Sequence, residues 1–246
     1  MSDTTGGREV VVATRFRGPP LSGNGGYVSG LMAAELGERV TTAVLRAPVP
    51  LDTPMALVRD PRAVRLMRGE SLVGEARAGD PAELPPFRDP PSLETARRAG
   101  EAFVGLTRPF HPVCFTCGDI PADVGCRVFV GQLEAAEPGV VAGLWTPHES
   151  QAGADGLAPT EVVWAAIDCP GSVAWVEQGA GGGLLGTMTG EVLRRPGVGE
   201  ACIVLAWPIE RSGRKQISAV ALYAQDGEPL ARARQIWIGR MPQSPE

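Results

Sequence analysis

One helix followed by a run of short strands occurs twice in this 246-residue chain, and that doubled order restricts its fold more than any other feature. In the first half, Val10–Arg15, Thr41–Arg46, Met55–Arg59, Ala63–Arg68 and Leu72–Ala78 are alternating or β-branched and separated by turn residues, which predicts strands. Between the first two lies Gly26–Leu36, the convincing helix of that half. Residues 79–112 break the pattern. PAELPPFRDPP is too proline-rich for regular structure, and SLETARRAGEAFVGL predicts a short helix. The order then returns, with strands at Val128–Val130 and Val140–Trp145 and a helix over Thr160–Val176 interrupted near Pro170. Four strands follow: Gly186–Arg194, Ala201–Trp207, Lys215–Tyr223 and Leu230–Ile238. Local echoes keep the same order in both halves. Val44-Leu45-Arg46-x-Pro48 matches Val192-Leu193-Arg194-x-Pro196, and Gly69-Glu70-x-Leu72 matches Gly227-Glu228-x-Leu230.

This repeat predicts units at 1–80 and 113–246 joined by a linker at 81–112. With 43% hydrophobic residues the chain can bury a sizeable core. Its net charge of −5 argues against a nucleic-acid partner. The polar opening MSDTTGGRE has no apolar segment like a signal peptide, and no run reaches a membrane span, so a cytoplasmic location with no membrane partner is expected. Five cysteines, an odd number, fit reduced thiols better than a disulfide framework.

Two stretches carry chemistry. GPPLSGNGGYVSGLMAAEL, Gly18–Leu36, sets Asn24-Gly25-Gly26 directly before a helix. The first turn of a helix presents N–H groups with no intrahelical partner, and its dipole favours negative charge. Glycine lets a reacting carbonyl approach those amides, so Gly25 and Gly26 are candidate oxyanion donors. Taken alone, Asn-Gly-Gly serves as a turn and N-cap. The other stretch, APTEVVWAAIDCPGSVAW, Ala158–Trp175, places Asp168 after an apolar helical run. A carboxylate there costs several kcal/mol if buried without a partner, roughly 2–7 for a polar group, so it invites a functional reading. Asp168 is the candidate base or nucleophile.

AAIDCPGSVAW and the terminal YAQDGEPLARARQIWIGR, Tyr223–Arg240, together with GNGGYVSGLMAA, resemble the double-hotdog acyl-CoA thioesterases of the thioesterase II type. The resemblance implies an α+β tandem hotdog, two antiparallel sheets joined into one, each wrapping a central helix. Many hotdog thioesterases carry His-Gly-Gly at the helix start and an Asp nine residues after the His, and the two meet across a pair of chains. Here Asn24-Gly25-Gly26 holds the first position of one half, with Ala33 nine residues on. Pro159 holds it in the other half, with Asp168 nine residues on. Each half keeps what the other lacks, so one working site would be built from both. The resemblance further implies a water held by Asp168, Gln235 and a hydroxyl, for which the region Trp207–Gly213 offers only Ser212.

The implied activity is hydrolysis of a small or medium acyl thioester, with acyl-CoA or another thioester as partner and coenzyme A entering only as part of the substrate, so no cofactor is expected. RSGRK, with Arg211, Arg214 and the chain's single lysine Lys215, suits coenzyme A phosphates as well as a solvated turn. In HPVCFTCGDIPADVGCRVFV, a CxxC like that at the start of single-hotdog thioesterases, His111, Cys114, Cys117 and Cys126 form a zinc-type set, although a reduced structural turn with no metal is the main expectation. There is no G-x-S-x-G elbow for a serine hydrolase. The alternatives are a non-catalytic acyl-CoA or acyl-chain binder and a hotdog enoyl-CoA hydratase or dehydratase, and homo-oligomers of double hotdogs fit all three.

Overall fold

The computed structural model describes residues 7–239, so Arg240 of the terminal motif and the first six residues lie outside it. The first half contains β1 (Arg8–Val11), α1 (Gly25–Leu36), β2 (Val40–Leu45), β3 (Pro54–Arg59), β4 (Ala63–Arg68) and β5 (Ser71–Ala78). The second contains α2 (Leu93–Glu101), β6 (Phe129–Gln132), β7 (Val141–Trp145), α3 (Thr160–Ala166) and α4 (Cys169–Glu177). It ends with β8 (Gly183–Val192), β9 (Cys202–Ser212), β10 (Lys215–Ala224) and β11 (Pro229–Gly239).

All eleven strands belong to one antiparallel sheet, ordered β1-β3-β4-β5-β2-β8-β11-β10-β9-β7-β6. The order follows one plan on both sides of the β2–β8 joint, with five strands on one side and six on the other. Outward from it, each half shows the strand that follows its helices, then its last strand, then its middle strands. The echoed glycines Gly69 and Gly227 occupy equivalent hairpins, and both need positive φ, 56° and 90°. Helix α1 packs on strands of the first half and on β8, while α4 packs on β9, β10, β6 and β7.

One expected element differs. The helix predicted over Thr160–Val176 is two helices, broken at Ile167 and Asp168 rather than at Pro170. Proline lacks an N–H and cannot continue a helical ladder, but it fits the first turn of a new helix, so the break falls upstream of it. The stretch 81–112 contains the short helix expected in it. Its helix α2 packs on β6 and β7, and a Cβ on Gly100 would lie 2.7 Å from the Phe129 carbonyl oxygen. The second half of the sheet is therefore covered on both faces. Along β10, Val220, Leu222 and Ala224 face the main core, while Ala219, Ala221 and Tyr223 face the α2 side. That explains why ISAVALYA reads as a continuous apolar run.

The joint itself is polar and paired. Thr42 and Thr189, opposite each other in the ladder, share a 2.9 Å hydrogen bond. Glu191, 2% exposed, accepts from Arg232 at 2.8 Å and from Arg39 at 3.1 Å. Arg232 is largely covered and Arg39 largely exposed. Removing one partner of a buried ion pair strands the other, at about 3–5 kcal/mol. Glu191→Ala should therefore lower the unfolding free energy by about 3 kcal/mol in urea titration, and Arg39→Ala by under about 1 kcal/mol. Equal, small losses would show that this pairing does not hold the joint.

Candidate active site

The site begins with two glycines. Gly26 and Gly30 stand one turn apart on α1 and face α3. A Cβ on Gly26 would lie 2.5 Å from the Trp164 carbonyl oxygen and 2.6 Å from Asp168 Cβ, and one on Gly30 would lie 2.5 Å from Glu161 Cα. Without those atoms the two helices touch backbone to backbone, running in opposite directions. Asn24 caps α1, its Oδ1 accepting the Tyr27 N–H at 2.8 Å. Its Nδ2 donates to Thr116 Oγ1 at 3.1 Å, and that hydroxyl donates to the Ala165 carbonyl at 2.7 Å.

This contact delivers Asp168 to the amino end of α1. Its Oδ2 accepts the Gly26 N–H at 3.0 Å. Its Oδ1 is buried with no partner, and the residue is 3% exposed. Burial pushes the carboxyl up to about 7, with the Gly26 amide pulling the other way. The expectation for Gly26 is thereby corrected, since its N–H is engaged by the Asp168 carboxylate. The Gly25 amide, in the unpaired first turn, has no acceptor among the described residues. Leu185 and Leu45 wall the space beside Gly25, just past the end of the β2–β8 ladder. At the amino end of α3, Pro159 caps the helix with no side-chain hydrogen bond, and Glu161 lies in its first turn.

Gln235 is fully buried and reaches the same break, but by its backbone. Its Nε2 donates to the Ile167 carbonyl at 2.7 Å and the Asp168 carbonyl at 3.2 Å. Its Oε1 accepts from Trp237 at 2.9 Å and from Ser218 at 3.3 Å. No hydrogen bond joins it to the Asp168 carboxylate, and in this arrangement Gln235 clamps the α3–α4 break. Gly171 makes the clamp possible, because a Cβ there would fall 1.8 Å from Gln235 Oε1.

The expected hydroxyl, Ser212, is exposed at the end of β9. Two other hydroxyls sit at the site instead. Ser218, 0% exposed, is the ladder partner of Gln235, and Thr116 is hydrogen-bonded to Asn24. Ser218 had a signal in the sequence: it is the one polar residue in the run Ile217–Ala224 apart from the Tyr223 phenol. Thr116 had none, since its loop has no periodicity.

The cysteines regroup. Of the set His111, Cys114, Cys117 and Cys126, only the CxxC pair comes together, and it is joined by Cys169. Cys126 packs into the hydrophobic core and His111 is half-buried outside the cluster. Hydrogen bonds from the Cys117 and Cys169 thiols hold Cys114 well below the usual thiol range, and the two donors are raised in turn. The basic residues Arg211, Arg214 and Lys215 lie on the exposed β9–β10 turn, three residues from Ser218, or about 10 Å along a strand. Arg211 also lines an open cleft of about 450 Å³ with Trp175, Gln178, Pro208 and Ile209, and that cleft does not include Asp168.

The sequence matches no family model and no curated protein. Solved structures match over nearly the whole chain. The tesB protein of Mycobacterium avium subsp. paratuberculosis is 12% identical, with 99% of this chain and 96% of that one covered and a TM-score of 0.65. A "putative thioesterase" from Novosphingobium aromaticivorans is 14% identical, with 98% of each chain covered and a TM-score of 0.64. A protein of unknown function with a hot dog fold from Alicyclobacillus acidocaldarius is 14% identical, covering 98% and 96%, with a TM-score of 0.60. At these identities the likeness establishes the fold: the whole chain has the hotdog-type architecture of these proteins.

The glycine contact is testable by substitution. Gly26→Ala and Gly30→Ala drive a methyl into backbone that cannot yield, and overpacking of that kind costs about 1–3 kcal/mol. Gly25→Ala meets only the Leu185 and Leu45 side chains, at 3.0 Å or more, and should cost less. Chemical denaturation of the three variants should rank them in that order. A Gly25→Ala loss equal to the other two would remove the helix contact as the explanation.

Proposed function

We propose that this chain is a thioester hydrolase with tandem hotdog halves, acting on a small or medium acyl-CoA or another acyl thioester through Asp168. One observation carries the reading: a buried carboxylate from the second half lies on the first amides of the first half's helix, with one oxygen unpartnered. The unpartnered Oδ1 is the atom available to a water. In the reaction, water oxygen bonds to the thioester carbonyl carbon while its proton passes to Asp168. The carbonyl electrons move onto oxygen, opposite the Gly25 N–H, where one preorganised donor contributes about 3–4 kcal/mol. Collapse breaks the C–S bond, and the proton passes from Asp168 to the leaving thiolate. Direct attack by the carboxylate would start from the same oxygen and the same hole. Gln235 holds the backbone that aims the carboxylate, and Ser218 holds Gln235.

The acyl group would reach the Gly25 amide by moving the Leu45 and Leu185 side chains, which wall it off in this arrangement. Arg211, Arg214 and Lys215 would meet the coenzyme A phosphates at the mouth end of β10. At the amino end of α3, Pro159 offers no capping side chain, and Ala33 stands where the first half would need its counterpart of Asp168, so we assign one active site to each chain. A second reading, an acyl-CoA binder without chemistry, draws on the near-complete burial of Asn24, Asp168 and Gln235.

The experiment is release of free thiol from short- and medium-chain acyl-CoA, followed with a thiol reagent after the protein's own cysteines are blanked. Slow release by wild type, reduced at least about 100-fold in Asp168→Asn with an unchanged melting temperature, is the expected outcome. Tight acyl-CoA binding without turnover would select the binder. Hydration of enoyl-CoA without thiol release would select a hydratase.

A further inference from the structure

Three thiols converge beside the site from two distant segments. Cys114 and Cys117 span the turn before β6, and Cys169 opens α4. Their sulfurs all lie within 4.8 Å of one another, with Cys114 and Cys169 Sγ 3.5 Å apart. Thiolates around a tetrahedral zinc ion at about 2.3 Å stand about 3.8 Å apart, so a trio within 4.8 Å, with one pair at 3.5 Å, can close on such an ion by small shifts. A disulfide needs its sulfurs at about 2.05 Å and uses two of them, which leaves the third unexplained. Apolar packing alone does not account for the cluster either, since Cys126 and Cys202 are buried separately in the chain without gathering.

We infer that Cys114, Cys117 and Cys169 form a binding site for a thiophilic divalent cation of the zinc type, with a fourth, exchangeable position open. No fourth His, Cys, Asp or Glu among the described residues joins the group, and the fourth ligand is therefore water or a small exogenous thiol or anion. Asn24 Nδ2 lies 3.8 Å from Cys114 Sγ and is itself anchored through Thr116, so an outer layer of donors orients the ligand sulfur. Cys169 is only half-buried, which gives the ion a way in. Binding displaces the thiol protons to solvent and changes no oxidation state. The site does not depend on whether the chain hydrolyses thioesters.

The test uses the full chain, reduced with a phosphine under anaerobic conditions and titrated with Co²⁺. Thiolate-to-cobalt charge-transfer bands and the visible bands of a tetrahedral centre should grow to one equivalent per chain and vanish on addition of one equivalent of Zn²⁺. Cys169→Ser should weaken cobalt binding at least 10-fold, while Cys126→Ser and Cys202→Ser leave it unchanged. The inference fails if folded, reduced wild type shows no such bands, or if they persist undiminished in Cys169→Ser. It also fails if the chain as isolated holds a disulfide within this trio, counted as two missing thiols after denaturation.

Discussion

The absence of two methyl groups, at Gly26 and Gly30, is what the rest of the structure depends on. It allows α1 and α3 to meet with backbone against backbone, closer than any side chain would permit. Everything at the candidate site follows from that distance. The Gly26 amide can reach Asp168 only because the helices touch, and Asp168 can stay buried only because that amide meets it. Glycine inside a helix normally weakens it by about 1 kcal/mol relative to alanine, so its presence at two successive turns marks a packing requirement.

Around this contact the molecule is symmetric in its scaffold and asymmetric in its chemistry. The first three strands outward from the β2–β8 joint follow the same plan on each side, and the joint is closed by the paired threonines and by Glu191 between two arginines. The helix ends do not repeat. One end of the α1–α3 contact has Asn24, Gly25, Gly26 and Asp168, while at the amino end of α3 Pro159 makes no side-chain cap. A single chain therefore assembles a polar centre that neither half contains.

The break between α3 and α4 concentrates the remaining polar chemistry. The ladder restarts with proline in the first turn of α4, and at this break Gln235 donates to the Ile167 and Asp168 carbonyls. The same restart turns the Cys169 sulfur toward the CxxC turn. A carboxylate, a carboxamide clamp and a thiol cluster thus share one interruption of a helix, and Asn24 touches both the cap of α1 and the sulfur of Cys114.

The sequence by itself determined the order of elements and its repetition, because periodicity and turn glycines are local signals. The meeting of Asn24-Gly25-Gly26 with Asp168, and the choice of Gln235, came from the resemblance to a family and not from local pattern. Only the tertiary structure decided that Gly26 serves the helix contact and the carboxylate, that Ser218 and Thr116 replace Ser212, that α2 packs on the sheet within a stretch read as a linker, and that Cys169 joins Cys114 and Cys117 in place of His111 and Cys126. The reason is physical. Which face a residue shows can be read from its neighbours in the chain, but which atoms then meet across 50 to 140 residues depends on how closely helices approach and where a ladder breaks.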